Sequence, residues 1–358
     1  MKITSYEYHS LMWFVMRASF IGISLNNIIN ISKQNSWLAG LLTLLLGLIP
    51  LGIFIYLQNY EKDKNISEKV LDLFKHTGYL INIILIIGSL LLALVTFSDL
   101  TYFVNSQFLY NTPHLIINIC FIIPIFYALI KGFRSFSKTS LFIFIFVVVI
   151  IIFIILSVLN NIDIENLKPF FVTNQEDILH SSAILISYNV IPIFLLTIIP
   201  LNDVSNYKNK HTILFYFLSL ISLINAIFLT ITILGSDLSM LYQYPELNVL
   251  KIGNFIERAE SILALEWIVA LIILIIMSIY FACEIIKTTF KYKKTNKIIF
   301  FVCLLIFCLN EFTFVRNSEA NNFYKNYMVI IMFFYLFLAF IIMIKALLKK
   351  HFLNQDSR

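Results

Sequence analysis

Charge is scarce in this sequence. Asp, Glu, Lys and Arg make up 13% of its 358 residues against 60% apolar ones, and the mean hydropathy is +0.89. That leaves too little polar surface to cover a water-soluble globule of this size. Glycine is scarce as well: nine in the whole chain supply no glycine-rich phosphate loop. The histidines, His9, His76, His114, His180, His211 and His351, are scattered, and none stands beside a second His, a Ser or a Cys in a metal or triad pattern. They read as loop or interfacial residues, and neither a cofactor, a metal nor an enzymatic reaction is expected. Cys120, Cys283, Cys303 and Cys308 all fall in apolar stretches without zinc spacing, which predicts buried, reduced thiols.

What the chain has in abundance is long apolar runs. Blocks fall near residues 11 to 31, 37 to 57, 78 to 98, 114 to 131 and 139 to 160, then 178 to 201, 212 to 235, 264 to 287, 297 to 315 and 327 to 348. Each is close to the roughly 20 residues a helix needs to cross a hydrocarbon core of about 30 Å. The runs are continuously apolar and do not alternate, which excludes a barrel. The expected architecture is therefore all-α, a single transmembrane domain of ten helices over residues 1 to 358. The first block is interrupted by Arg17, Asn26 and Asn27 and lacks a small-residue cleavage site, so it reads as a retained span, not a signal peptide.

The net charge of +6 does not point to nucleic acid, because the cations lie in short loops between spans. With the N-terminus inside, nineteen of the 26 Lys and Arg residues fall on the inner side and six on the outer, Arg17 lying within a span. That bias predicts cytoplasmic N- and C-termini. Two outer segments, 161 to 177 and 236 to 263, are longer than a connection requires. The apolar spacing in the second predicts a short helix lying on the outer face.

Five spans plus five place the two halves, about 1 to 160 and 178 to 348, in opposite orientations, the geometry of inverted-repeat transporters with discontinuous helices one and six. Span one carries Gly22, Ser24, Asn26 and Asn27 in mid-segment, and span six carries Ser187, Tyr188, Asn189 and Pro192. Pro192 removes a backbone donor and should kink span six. Two readings are open at these positions: a solute site, or polar contacts between packed helices. Arg17 is expected to reach back to the inner face, Glu266 to sit at the outer interface beside Trp267, and Glu284 to pair with Lys287 three residues on.

Three places in the chain carry a more specific pattern. The first is Ile21, Gly22, Ile23, Ser24 and Leu25, followed by Asn35, Ser36, Trp37 and Leu38. The second is Ser187, Tyr188 and Asn189, leading through an apolar run to Pro200. The third and most specific is the outer loop, with Tyr244, Pro245 and Glu246 at its start and Phe255, Ile256, Glu257, Arg258 and Glu260 at its end. Together they resemble the spore germination permease family, the B-type subunits of nutrient germinant receptors within the amino acid/polyamine/organocation transporter superfamily; Ser24 stands where that family has a second glycine and Asn189 where it usually has glutamate, which weakens a proton-coupled mechanism.

The resemblance implies a LeuT-like fold whose spans one, three, six and eight line a small central site. Gly22, Ile23, Ser24 and Asn26 would meet the carboxylate of an amino-acid-type germinant, and Ser187, Tyr188 and Asn189 its side chain. The outer-loop motif is Tyr244, Pro245, Glu257 and Arg258. It also implies an integral protein of the cytoplasmic or spore inner membrane that signals to an A-type membrane subunit and a C-type lipoprotein. The competing readings are a secondary amino-acid transporter and, with less in its favour, a membrane polysaccharide enzyme, which should show reactive clusters in a large outer loop.

Overall fold

A computed structural model describes residues 2–20, 24–170, 173–252, 259–292, 294–314 and 318–356. The chain is almost entirely helical. The N-terminal half contains α1 (Ser5–Arg17), α2 (Leu25–Ser32), α3 (Ser36–Leu46), α4 (Leu48–Asn59), α5 (Ile66–Phe74), α6 (His76–Gln107), α7 (His114–Lys131) and α8 (Phe133–Val158). The C-terminal half contains α9 (Gln175–Leu185), α10 (Asn209–Leu241), α11 (Pro245–Ile252), α12 (Ala259–Phe290), α13 (Thr295–Leu309) and α14 (Ser318–Asp356). Among the described residues, nine helical stretches are long and apolar enough to cross a membrane, where ten spans were expected. The difference lies in the first span. Its apolar block is shared between α1, which at 13 residues covers about 20 Å at 1.5 Å per residue, and α2, which runs on through α3 and α4 as a single stretch, Leu25–Asn59.

Local sequence explains the helix ends that position the centre. Thr4 opens α1 with a capping box, its hydroxyl accepting from the Glu7 amide while the Glu7 carboxylate accepts from the Thr4 amide. The same device, Asn65 with Glu68, opens α5. Just ahead of α1, β1 (Ile3–Thr4) pairs in parallel with β2 (Val204–Ser205), Ile3 opposite Val204. This short ladder ties the start of α1 to the segment that follows span six. Almost every side chain of α1 is buried, packed among α8, α10 and α12, so α1 is the axis of the bundle rather than a peripheral helix.

Span six changes winding along its length. After α9 the chain passes through a π-helical turn, Ile186–Val190, and then a 3-10 stretch, Ile191–Ile198. The expected discontinuity is thus a change of helical winding, not an extended gap. Pro192 has no N–H to give, and wider and tighter turns redistribute the hydrogen bonds around it. In span one, Ala18 and Ser19 form a turn after α1, and Phe20 and Ser24 have π-type winding.

Long helices α6 and α12 pack along each other, and Gly88 of α6 receives the Tyr335 ring of α14, where an added Cβ would collide with ring carbons. Tyr335 in turn donates to the Leu85 carbonyl at 2.6 Å. Gly88→Val is therefore expected to cost about 1–3 kcal/mol through overpacking, read as a fall in unfolding temperature in detergent. Gly52→Ala, with open space around it, should leave that temperature unchanged or raise it.

The thiols and histidines depart in part from expectation. All four cysteines are free, but only Cys283 and Cys303 are buried; Cys308 is half-buried and Cys120 exposed, since α7 turns much of its surface outward. His9 is buried, not interfacial: its Nδ1 lies 2.6 Å from the Ser5 carbonyl and its Nε2 3.0 Å from the Thr212 hydroxyl. The Glu284–Lys287 pair is present at 3.0 Å.

Candidate ligand site at the interruption of the first span

The irregular turns of spans one and six touch. Ser24 donates back to the Phe20 and Ser19 carbonyls at 2.9 and 3.2 Å, which fastens the start of α2 to the turn after α1. Asn189, on the π turn, donates to the Ser24 hydroxyl at 3.3 Å and to the Leu185 carbonyl at 3.2 Å. Its Oδ1 is buried with no hydrogen-bond partner, and so is the Ser19 hydroxyl. Unsatisfied buried polar atoms cost about 1–3 kcal/mol each and mark places where a ligand or water belongs.

The other residues singled out in the sequence are placed as follows. Ser187 donates to the Ile184 carbonyl of its own helix, and Tyr188 is fully buried. Asn26 turns away to donate to the Tyr242 carbonyl at 2.7 Å, tying α2 to the outer loop. Tyr244 is buried against Phe103 and Trp267, with ring centroids 4.9 and 5.7 Å away, and Pro245 begins α11. Gly22, Ile23, Glu257 and Arg258 lie outside the described residues. The structure thus brings Ser24 and Asn189 together and directs Asn26 and Ser187 elsewhere. The predicted short helix of the outer loop exists as α11, with Leu247, Val249 and Leu250 buried against the bundle.

Sequence reasoning missed the strongest electrostatic feature. Arg17 does not reach back to the inner face, and Glu266 is not interfacial. They are 6% and 2% exposed, and the Arg17 Nε donates to the Glu266 carboxylate at 3.3 Å. One terminal nitrogen of Arg17 donates to the Ser222 hydroxyl at 2.9 Å, and the guanidinium lies 5.8 Å from the Trp13 ring centre. Beside them is a cavity of about 60 Å³, lined by Arg17, Phe20, Ser222, Asn225 and Glu246 among apolar neighbours. Glu246, in the first turn of α11, is 6% exposed, and among the described residues neither carboxylate oxygen has a hydrogen-bond partner. Burial pushes its carboxyl up to about 8, with its own backbone amide and Arg17 pulling the other way.

A second polar cluster joins α6, α7 and the π turn Asn310–Phe314 that follows α13. Asn118 donates to the Glu311 carboxylate at 2.9 Å and accepts from Thr101 and Asn310 at 2.6 and 2.9 Å. A signal for both clusters was present: ionisable residues inside apolar blocks are functional until shown otherwise.

Nine helical stretches long and apolar enough to cross a membrane among the described residues, packed around a buried ion pair and a small, mostly apolar cavity, make this an integral membrane protein. The sequence profile described as "Spore germination protein" matches residues 2–319, and the chain belongs to this spore germination permease family. Its relatives include spore germination protein KB of Bacillus subtilis (strain 168), 22% identical over 304 residues, which cover 82% of this chain and 81% of the relative. Putative spore germination protein YfkT of the same organism is 22% identical over 259 residues, covering 70% of this chain and 69% of the relative.

Proposed function

We propose that this chain is the germinant-sensing, transporter-like subunit of a spore nutrient receptor. It binds a small amino-acid-type solute at the interruption of span one and passes its occupancy to partner subunits. The observation that carries this reading is the cavity beside Phe20, where a buried guanidinium and an unpartnered carboxylate stand together. An acid and a base on one small apolar cavity are complementary to a zwitterion: its ammonium meets Glu246 and its carboxylate meets Arg17. A volume of about 60 Å³ holds the equivalent of a few waters and favours a small side chain.

The contact from Asn189 to Ser24 gives occupancy a route to span six. A solute that moves the turn after α1 displaces Ser24, and with it the π turn, so two arrangements of span six differ in affinity for the ligand. In this reading the chain has ten crossings in two inverted sets of five with a LeuT-like arrangement, both termini face the cytoplasm, and the partners are an A-type membrane subunit and a C-type lipoprotein.

The test is binding of single amino acids to the purified chain by calorimetry, followed by germination of spores carrying variants. Asn189→Leu is expected to leave the membrane level of the chain unchanged and abolish the response. If no amino acid binds, or if Asn189→Leu spores respond as the parent does, the reading is lost. The alternative, a secondary amino-acid transporter, predicts saturable uptake into vesicles by the chain alone, whereas a sensor binds without net uptake.

A further inference from the structure

Helices α7, α8 and α12 enclose an open groove of about 550 Å³. The α7–α8 hairpin turns through Gly132 alone, at φ 90, a conformation glycine adopts without strain. One end of the groove is polar, with Lys131, Ser135 and Thr139, all exposed. The other is apolar, with Ile143, Val269 and Ile273. Lys131 extends over the Tyr127 ring, its ammonium 5.3 Å from the centre.

Polarity is therefore sorted along the groove, and so is charge. Between Asp99 and Asp163 the sequence has three cations, Lys131, Arg134 and Lys138, and no acidic residue; all three are exposed at the hairpin end. Glu284, farther along α12, is already paired with Lys287. Length separates the possible occupants. From Ser135 to Ile143 along α8 is about 12 Å, and from Pro124 to Lys131 along α7 about 10 Å. That is most of one leaflet of a hydrocarbon core about 30 Å thick. A partner's transmembrane helix would need a groove through both leaflets.

We infer that this groove is a binding site for one anionic phospholipid, its phosphate held by Lys131 with Ser135 and Thr139 and an acyl chain lying along Ile143, Val269 and Ile273. The hairpin cations hold the headgroup at the membrane surface, where a juxtamembrane Lys or Arg attracts anionic lipid.

The test uses the purified full chain and native mass spectrometry with palmitoyl-oleoyl phosphatidylglycerol, the matching phosphatidylcholine, and inorganic phosphate. The chain is expected to retain phosphatidylglycerol over phosphatidylcholine. Lys131→Gln should reduce retention about fivefold, and Val269→Trp, which fills the apolar end, should reduce it with all three cations intact. Unfolding temperatures matching the parent's show that the variants are folded. Should either fail to fold, a photo-crosslinker at Ile143 in whole membranes decides: label on phosphatidylglycerol supports the site, and label on a polypeptide overturns it. Equal retention of both lipids, undiminished retention by folded variants, or displacement by inorganic phosphate each also overturns it.

Discussion

Replacing Arg17 with methionine is expected to remove about 3–5 kcal/mol of stability, the usual result of leaving one member of a buried ion pair without its partner. Among the described residues Glu266 has no other hydrogen-bond donor, its second oxygen being buried and unpartnered, so the lost guanidinium bond is not replaced. Chemical unfolding of the purified chain in mild detergent would register the change, and membrane yield should fall with it. The double variant Arg17→Met/Glu266→Leu separates charge from packing. A buried pair replaced by apolar groups of similar volume is often neutral or stabilising, so the double variant should recover most of the loss while losing ligand binding. If the single variant is as stable as the parent, the ion pair does not form in the membrane and the electrostatics of the cavity must be redrawn.

That pair also shows where the sequence was legible and where it was not. The polar residues of spans one and six were visible as interruptions in apolar text, and two of them, Ser24 and Asn189, do meet. Arg17 stands near the start of an apolar block, where a long cation usually reaches back to the surface, but α1 is buried along its length and Glu266 and Ser222 hold the guanidinium inside the bundle. Glu266 was misread through Trp267, which resembles an interfacial tryptophan in sequence. In the fold that ring is buried against Phe103, with centroids 5.0 Å apart, and Tyr244 of the loop packs on it at 5.7 Å. Hydropathy records how apolar a residue's neighbours along the chain are. It is silent about which loop folds back to cover a helix end, and for the same reason Glu246, in a loop, was not read as part of an interior site.

Glu246 makes the proposed ammonium contact directly testable through protons. Its carboxyl is raised from an ordinary value of 4.5 to about 8 by burial, so at pH 7 it is largely protonated in the empty protein. An ammonium group brought against it favours the ionised form, and binding must then expel the proton. Calorimetry in two buffers of different ionisation enthalpy should therefore find close to one proton released per amino acid bound at pH 7, falling towards none by about pH 9, where the carboxyl is already ionised. Glu246→Gln is expected to abolish the release and weaken binding about ten- to a hundredfold, the range for losing a hydrogen bond to a charged group. The empty protein carries the same signature in its stability. A carboxyl whose folded value is raised contributes its full stabilisation below about pH 4.5 and loses it progressively up to about pH 8. The parent should therefore become less stable across that window relative to Glu246→Gln. Binding with no proton release at pH 7 would place the ammonium elsewhere, and Glu246 would then be a neutral, structural acid under the loop helix.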